Sequence, residues 1–174
     1  MATLRRFKCY RRIKRAYTRK SKYKKKGFIK SIPTVKIIRW DMGNPSGTFT
    51  HRVDLISKLD AQIRQNSIES ARLVANRQLE EKLTKPMYYL KLRVFPHHVL
   101  RENKMLTGAG ADRMQTGMSH AFGKAVGIAA QMRKGQILFT AFVNKEGLDL
   151  AKKSFMLMRP RLSGSWKIEI SENN

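Results

Sequence analysis

The sequence predicts an α+β fold, a two-layer α/β sandwich with helices packed on one sheet face, a basic N-terminal arm and a long internal loop. Three observations predict it. Two segments repeat apolar residues at helical spacing, and about six short runs read as strands. The chain also opens with basic side chains and no acidic one before Asp41. The arm is assigned residues 1–33, a single globular domain residues 34–174, and the functional loop residues 102–124.

The elements follow in order. The arm ends near Ser31-Ile32-Pro33 and its apolar residues keep no period of 2 or 3.6. Residues 35–40, VKIIRW, read as a strand, Gly43 to Gly47 as a loop on composition, and Val53 to Ile56 as a second strand. Residues 61–83 read as a helix. Ile68, Ala71, Ala75, Leu79 and Leu83 form its apolar stripe, Asp60 its N-cap, and Lys85-Pro86 its end.

Residues 87–95, MYYLKLRVF, alternate. Tyr88, Leu90, Leu92 and Val94 face one way, with Lys91 and Arg93 on a basic outer face, and Val99 to Arg101 continue the sheet. Residues 104–124 form a Gly-rich loop with room for a short helical turn. Residues 127–132 and 136–143 read as a hairpin around Lys134-Gly135, with Ile137, Phe139, Ala141 and Val143 as a core face. Asn144 is placed to cap a second helix reaching about Met158, with Leu148, Ala151, Phe155 and Met158 as its stripe. Trp166, Ile168 and Ile170 alternate in a last strand. No internal repeat is visible.

Composition narrows the function. The 174 residues carry 41% apolar side chains, enough for one domain with a core. The 37 Lys and Arg outweigh 12 Asp and Glu for a net charge of +25. Such a chain repels its own copies, so no homo-oligomer is expected, and it attracts polyanions. Fourteen of the positive charges fall in residues 1–30, and the rest of the chain keeps a net charge of +11. The single cysteine, Cys9, excludes an internal disulfide and any multi-Cys zinc site, and fits a reducing cytosol. No stretch approaches the roughly twenty apolar residues of a membrane span, and the first thirty residues lack the apolar run of a signal peptide. A transit peptide is also basic and acid-poor. The interleaving of Phe7, Tyr10, Tyr17, Tyr23 and Phe28 instead favours an arm that stays attached and binds RNA, its rings stacking on unpaired bases.

The arm residues read as phosphate-binding are Arg5, Arg6, Lys8, Arg11, Arg12, Lys14, Arg15, Arg19, Lys20, Lys22, Lys24 and Lys25. The arm is expected to act through charge, with the globular domain folding without it.

Catalytic and cofactor motifs fail on their mechanics. Gly117 to Lys124 is a false P-loop: five residues separate Gly117 from Gly123, and Ala125 stands where a hydroxyl would hold magnesium. Gly108-Ala109-Gly110 lacks the third glycine of a dinucleotide fingerprint. His97 and His98 are adjacent on a strand, so they point to opposite faces and read as structural histidines. No nucleophile–base set and no carboxylate pair can be defended, and Asp112 beside Arg113 reads as a local contact. No cofactor, no metal and no enzymatic activity are therefore expected. Met105, Met114 and Met118 suit two roles, packing the loop onto the domain or offering an adaptable surface to nucleobases.

One segment is far more specific. Pro96 to Lys124, PHHVLRENKMLTGAGADRMQTGMSHAFGK, resembles the central block of a universal large-subunit ribosomal protein family, called L-ten-e in archaea and eukaryotes and L-sixteen in bacteria. Lys8-Cys9-Tyr10-Arg11, Tyr17-Thr18-Arg19-Lys20 and Ile68-Glu69-Ser70-Ala71-Arg72 are similar to other blocks of that family, and Val99 to Asn103 looks archaeal. The chain departs from the family's usual pattern at Arg5-Arg6-Phe7 and at Ala125 to Ile128.

The resemblance implies an α/β-hammerhead-like fold and a place in the cytoplasmic ribosome as a structural constituent of the large subunit. The implied partners are large-subunit rRNA, neighbouring large-subunit proteins and tRNA acceptor ends near the A and P sites and the peptidyl-transferase centre. No membrane partner is implied. Arg101, Lys104, Met105, Arg113, Gln115, Thr116, Gly117 and Lys124 fall in or beside the loop that would approach tRNA. Two other readings stand beside it. One is a free-standing tRNA- or rRNA-binding or assembly factor. The other is an RNA-modifying enzyme, for which a cofactor loop or catalytic constellation would be needed.

Overall fold

The protein, a computed structural model, is described for residues 5–13, 28–115, 117–119 and 122–172. These residues build an α+β fold from two antiparallel sheets and two long helices. The strands are β1 (Asp41–Gly43), β2 (His51–Ser57), β3 (Ala61–Arg64), β4 (Tyr88–Leu92), β5 (His98–Glu102), β6 (Lys124–Met132), β7 (Ile137–Val143) and β8 (Trp166–Glu172). The helices are α1 (Gln65–Lys82), the one-turn α2 (Ala111–Met114) and α3 (Leu148–Met158). The larger sheet has the order β1-β4-β7-β2-β8, the smaller β3-β6-β5.

Register explains the core. Met42, Leu90, Ala141, Val53 and Ile170 lie opposite one another across the five strands, and Leu92, Phe139, Leu55 and Ile168 form the next row. Because alternate residues share a face, both rows point the same way. The α1 stripe Ile68, Ala71, Ala75 and Leu79 and the α3 stripe Ala151, Phe155 and Met158 are fully buried in the same core. Leu148 and Leu83 pack at its edge. The helix stripes and the alternation of residues 88–94 therefore agree with the sequence reading. Gln65 and Arg72 are the buried polar residues on α1, and Arg72 is satisfied by two bonds of 2.8 and 2.6 Å to Glu69.

Several expectations are corrected. The single sheet is two sheets. Residues 127–132 and 136–143 do not pair as a hairpin, because β7 is already flanked by β2 and β4 while β6 pairs with β3 and β5. The turn at Lys134-Gly135 is a tight crossing between sheets, with Gly135 at φ +82° and its N–H donating to Ser57. Val99 to Arg101 belong to the smaller sheet, beyond the ladder interruption at residues 93–97.

Residues 35–40 form no strand. Ile37 is buried there, and the Lys36 N–H donates to the Gln65 side chain at 2.8 Å. Among the described residues, their one backbone tie to a strand is at the end, where the Trp40 carbonyl accepts from the Leu92 N–H at 2.8 Å. The first four residues of the expected helix 61–83 are β3, and the stripe proper begins at Ile68. Asp60 is not a cap; its Oδ1 accepts from the Lys134 N–H at 2.7 Å. Asn144 does not cap α3 either. It precedes a 3-10 turn, Lys145–Gly147, and its Oδ1 faces the Thr50 N–H at 3.4 Å.

Candidate nucleic-acid interface

The smaller sheet carries both ends of the loop and the described start of the arm. Its edge strand β5 runs into the loop and β6 runs out of it, with Arg101 opposite Ala125 and Glu102 opposite Lys124. The two strands close a narrow neck. A Cβ on Gly123 would stand 2.3 Å from the Glu102 carbonyl carbon and 2.6 Å from the Asn103 nitrogen, so only glycine fits this approach.

Residues 5–12 are not a detached tail. The Arg11 and Tyr10 carbonyls accept from Gln62, from its backbone N–H at 2.9 Å and its Nε2 at 2.7 Å. The Arg5 carbonyl accepts from Arg64 Nη1 at 2.9 Å, and the same guanidinium lies 5.7 Å from the Tyr10 ring centre. The tie to the loop is Glu102. Its nearly buried carboxylate accepts from Arg5 Nε at 2.9 Å and from the Tyr10 hydroxyl at 3.1 Å. Burial and this bond raise the Tyr10 phenol above its usual pKa.

The far end of the arm returns to the same neck. Phe28 lies 6.2 Å from Phe122, and the Arg101 guanidinium sits 3.9 Å from the Phe122 ring centre. Lys14, Arg15, Arg19, Lys20, Lys22, Lys24 and Lys25 lie outside the described residues, as does Thr116 and the side chain of Asp112.

The structure divides the predicted site residues. Arg5 is an anchor. Arg6, Lys8, Arg11 and Arg12 are exposed, and none has an ion-pair partner among the described residues. In the loop, Gln115 is a clasp: its Oε1 accepts from the Leu106 N–H at 2.6 Å and its Nε2 donates to the Lys104 carbonyl at 2.9 Å. This holds α2 back against the ingoing chain. Lys104, Met114, Gln115 and Lys124 thereby come together around an open cleft of about 560 Å³. Arg113 stands apart on the exposed loop, and Gly117 takes φ +60°. Met105, Met114 and Met118 are all exposed, between 51% and 78%, so the loop is not packed onto the domain through them.

Sequence reasoning missed Glu102, Gly123, Phe122 and Gln62. The available signal was Glu102 itself, an acid ending a strand in a strongly basic chain. Among the described residues, no group of three potential ligands is arranged to hold a metal, and no helix is long and apolar enough to cross a membrane.

Comparison with known proteins adds a second line. Residues 15–169 match the family described as ribosomal protein L16p/L10e. The large ribosomal subunit protein uL16 of Methanococcus maripaludis is 41% identical over 170 residues, covering 97% of this chain and 95% of that protein. The uL16 of Methanococcus aeolicus is 44% identical with the same coverage. That of Methanospirillum hungatei is 46% identical over 144 residues, 82% of this chain and 81% of its own length.

Proposed function

Since this chain belongs to the ribosomal protein L16p/L10e family, we propose that it binds large-subunit rRNA through its arm and helps seat tRNA acceptor ends through loop 102–124. It is a large-subunit ribosomal protein of the translation machinery, a structural component and not an enzyme. The domain reading is a basic arm, residues 1–33, on one globular domain, residues 34–174. Its two sheets with the helix layer are read as a hammerhead-like arrangement.

One observation carries the proposal. The arm and the loop meet at a single neck, where Glu102 holds Arg5 and Tyr10 and Gly123 admits the outgoing strand. Arg6, Lys8, Arg11 and Arg12 then face outward as phosphate-neutralising charges, joined by the basic residues of 14–25. Arg101, fixed over Phe122, holds the base of the loop. Lys104, Met105, Arg113, Gln115, Thr116, Gly117 and Lys124 make up the surface offered to tRNA: basic side chains for phosphate, methionine and loop backbone for bases. Neighbouring large-subunit proteins are the further partners.

Sucrose-gradient sedimentation of a lysate at high salt tests this reading. An integrated constituent stays with the large subunit, whereas a free-standing RNA-binding or assembly factor leaves it as phosphate contacts are screened.

A further inference from the structure

The larger sheet has two edges. β1 is three residues long, whereas β8 runs for seven, Trp166 to Glu172. Among the described residues β8 pairs only with β2, so its other side has no ladder partner.

The register fixes which backbone groups that side carries. Ser57 stands opposite Trp166, and one step further the Lys58 N–H donates to the Ser165 carbonyl at 2.8 Å. Opposed residues of an antiparallel pair alternate between bonded and unbonded. Lys167, Glu169 and Ser171 therefore turn their backbone groups to β2, and Ile168, Ile170 and Glu172 turn theirs outward. Ser57 agrees: its own N–H and carbonyl are bonded on its far side, to Gln136 and Gly135.

The side chains mark the same edge as unfinished. The core row Met42, Leu90, Ala141, Val53 ends in Ile170, which is 41% exposed. A further strand would cover it. Natural edges are guarded by proline, a bulge, shortness or lysine. β8 has no proline, its register with β2 is unbroken over seven residues, and its single lysine is held by Glu169 at 2.7 Å.

Charge selects the occupant. In a chain of net charge +25, β8 carries one lysine and two glutamates, Glu169 and Glu172, all exposed. That balance disfavours RNA, which in any case offers no peptide ladder. A second copy of this chain brings another +25 and repels the first. A basic, extended segment of a different protein fits both the charge and the ladder. We infer that β8 takes such a segment, from a neighbouring protein of the large subunit, as a sixth strand of the sheet. The segment sets an apolar side chain beside Ile170 and Lys or Arg beside Glu169 and Glu172. The inference rests on the large-subunit reading and names the surface through which one protein neighbour docks.

Amide hydrogen exchange on the full chain, free and in purified large subunits, tests it. In the free chain the amides of Ile168 and Ile170 should exchange fast and those of Lys167, Glu169 and Ser171 slowly. In the subunit Ile168 and Ile170 should slow about tenfold or more. A benzophenone on the double variant Cys9→Ser, Ser171→Cys should crosslink, in those subunits, to a protein segment bearing Lys or Arg. Ile170→Pro takes away an outward N–H, which an edge strand tolerates, and should keep assembly but lose the crosslink. Glu169→Arg, at an exposed position, is the second variant and should weaken the crosslink severalfold. Unprotected Ile168 and Ile170 amides in the subunit, a crosslink confined to rRNA or to a second copy, or undiminished crosslinking in both variants overturns the docking edge and leaves the large-subunit reading standing. A chain that does not enter large subunits overturns both.

Discussion

Arg5 and Glu102, 97 residues apart in the chain, are joined by a 2.9 Å ion pair in which the carboxylate is nearly buried and the guanidinium about half exposed. The asymmetry matters. Removing Arg5 strips a buried anion of a partner, so Arg5→Ala should cost about 1–3 kcal/mol in urea unfolding, nearer the lower figure because water reaches Arg5. It should also speed proteolysis of the arm. Unchanged unfolding and proteolysis would show that the pair anchors nothing.

The other arm cations should behave differently. Arg6, Lys8, Arg11 and Arg12 changed together to Gln should leave the unfolding midpoint alone. The dependence of rRNA binding on salt should fall by up to roughly three to four units, near 0.7–0.9 per phosphate lost. An unchanged slope would remove these residues from the interface.

Gly123→Ala should be disruptive out of proportion to one methyl group. The added carbon meets backbone at 2.3 Å, so the neck must open, at about 1–3 kcal/mol. Gly127→Ala, four residues along β6 and with open space around its Cβ, should stay within about 0.5 kcal/mol. Equal effects of the two in thermal unfolding would contradict the close approach.

On α1, Ala75→Asp puts an unpaired carboxylate into the core and should cost at least ~2 kcal/mol. Arg77→Ala, whose partner is only the exposed Glu81, should leave the melting midpoint where it is. Coincident melts would refute the buried face.

The parts legible in the sequence were those fixed by local periodicity. The α1 and α3 stripes and the Tyr88–Val94 alternation each report one buried face, and that face is buried. Pairing was not legible. Residues 35–40 are apolar and β-branched enough to read as a strand yet form none, and the Lys134-Gly135 turn looks like a hairpin although its flanking strands belong to different sheets. Partner choice depends on which strand already occupies an edge, and β2 and β4 had taken both edges of β7.

The site divided in the same way. Loop residues stood out by composition, but Gln115 reads as a contact residue until its two bonds to the loop's own backbone are seen. Glu102 acquires its role only from Arg5 and Tyr10, more than ninety residues upstream.

The proposed role has the neck hold loop 102–124 against tRNA once the arm is on rRNA, and a probe placed in the loop reports on it. Because Cys9 is the chain's single cysteine, the double variant Cys9→Ser, Arg113→Cys carries one attachment point for a hydroxyl-radical source, in the loop. Large subunits reconstituted with it and loaded with tRNA should show strand cleavage at the tRNA acceptor end. The same source at Cys9 in the unaltered chain should cleave rRNA alone. Cleavage from position 113 confined to rRNA, in subunits that still bind tRNA, would contradict the account.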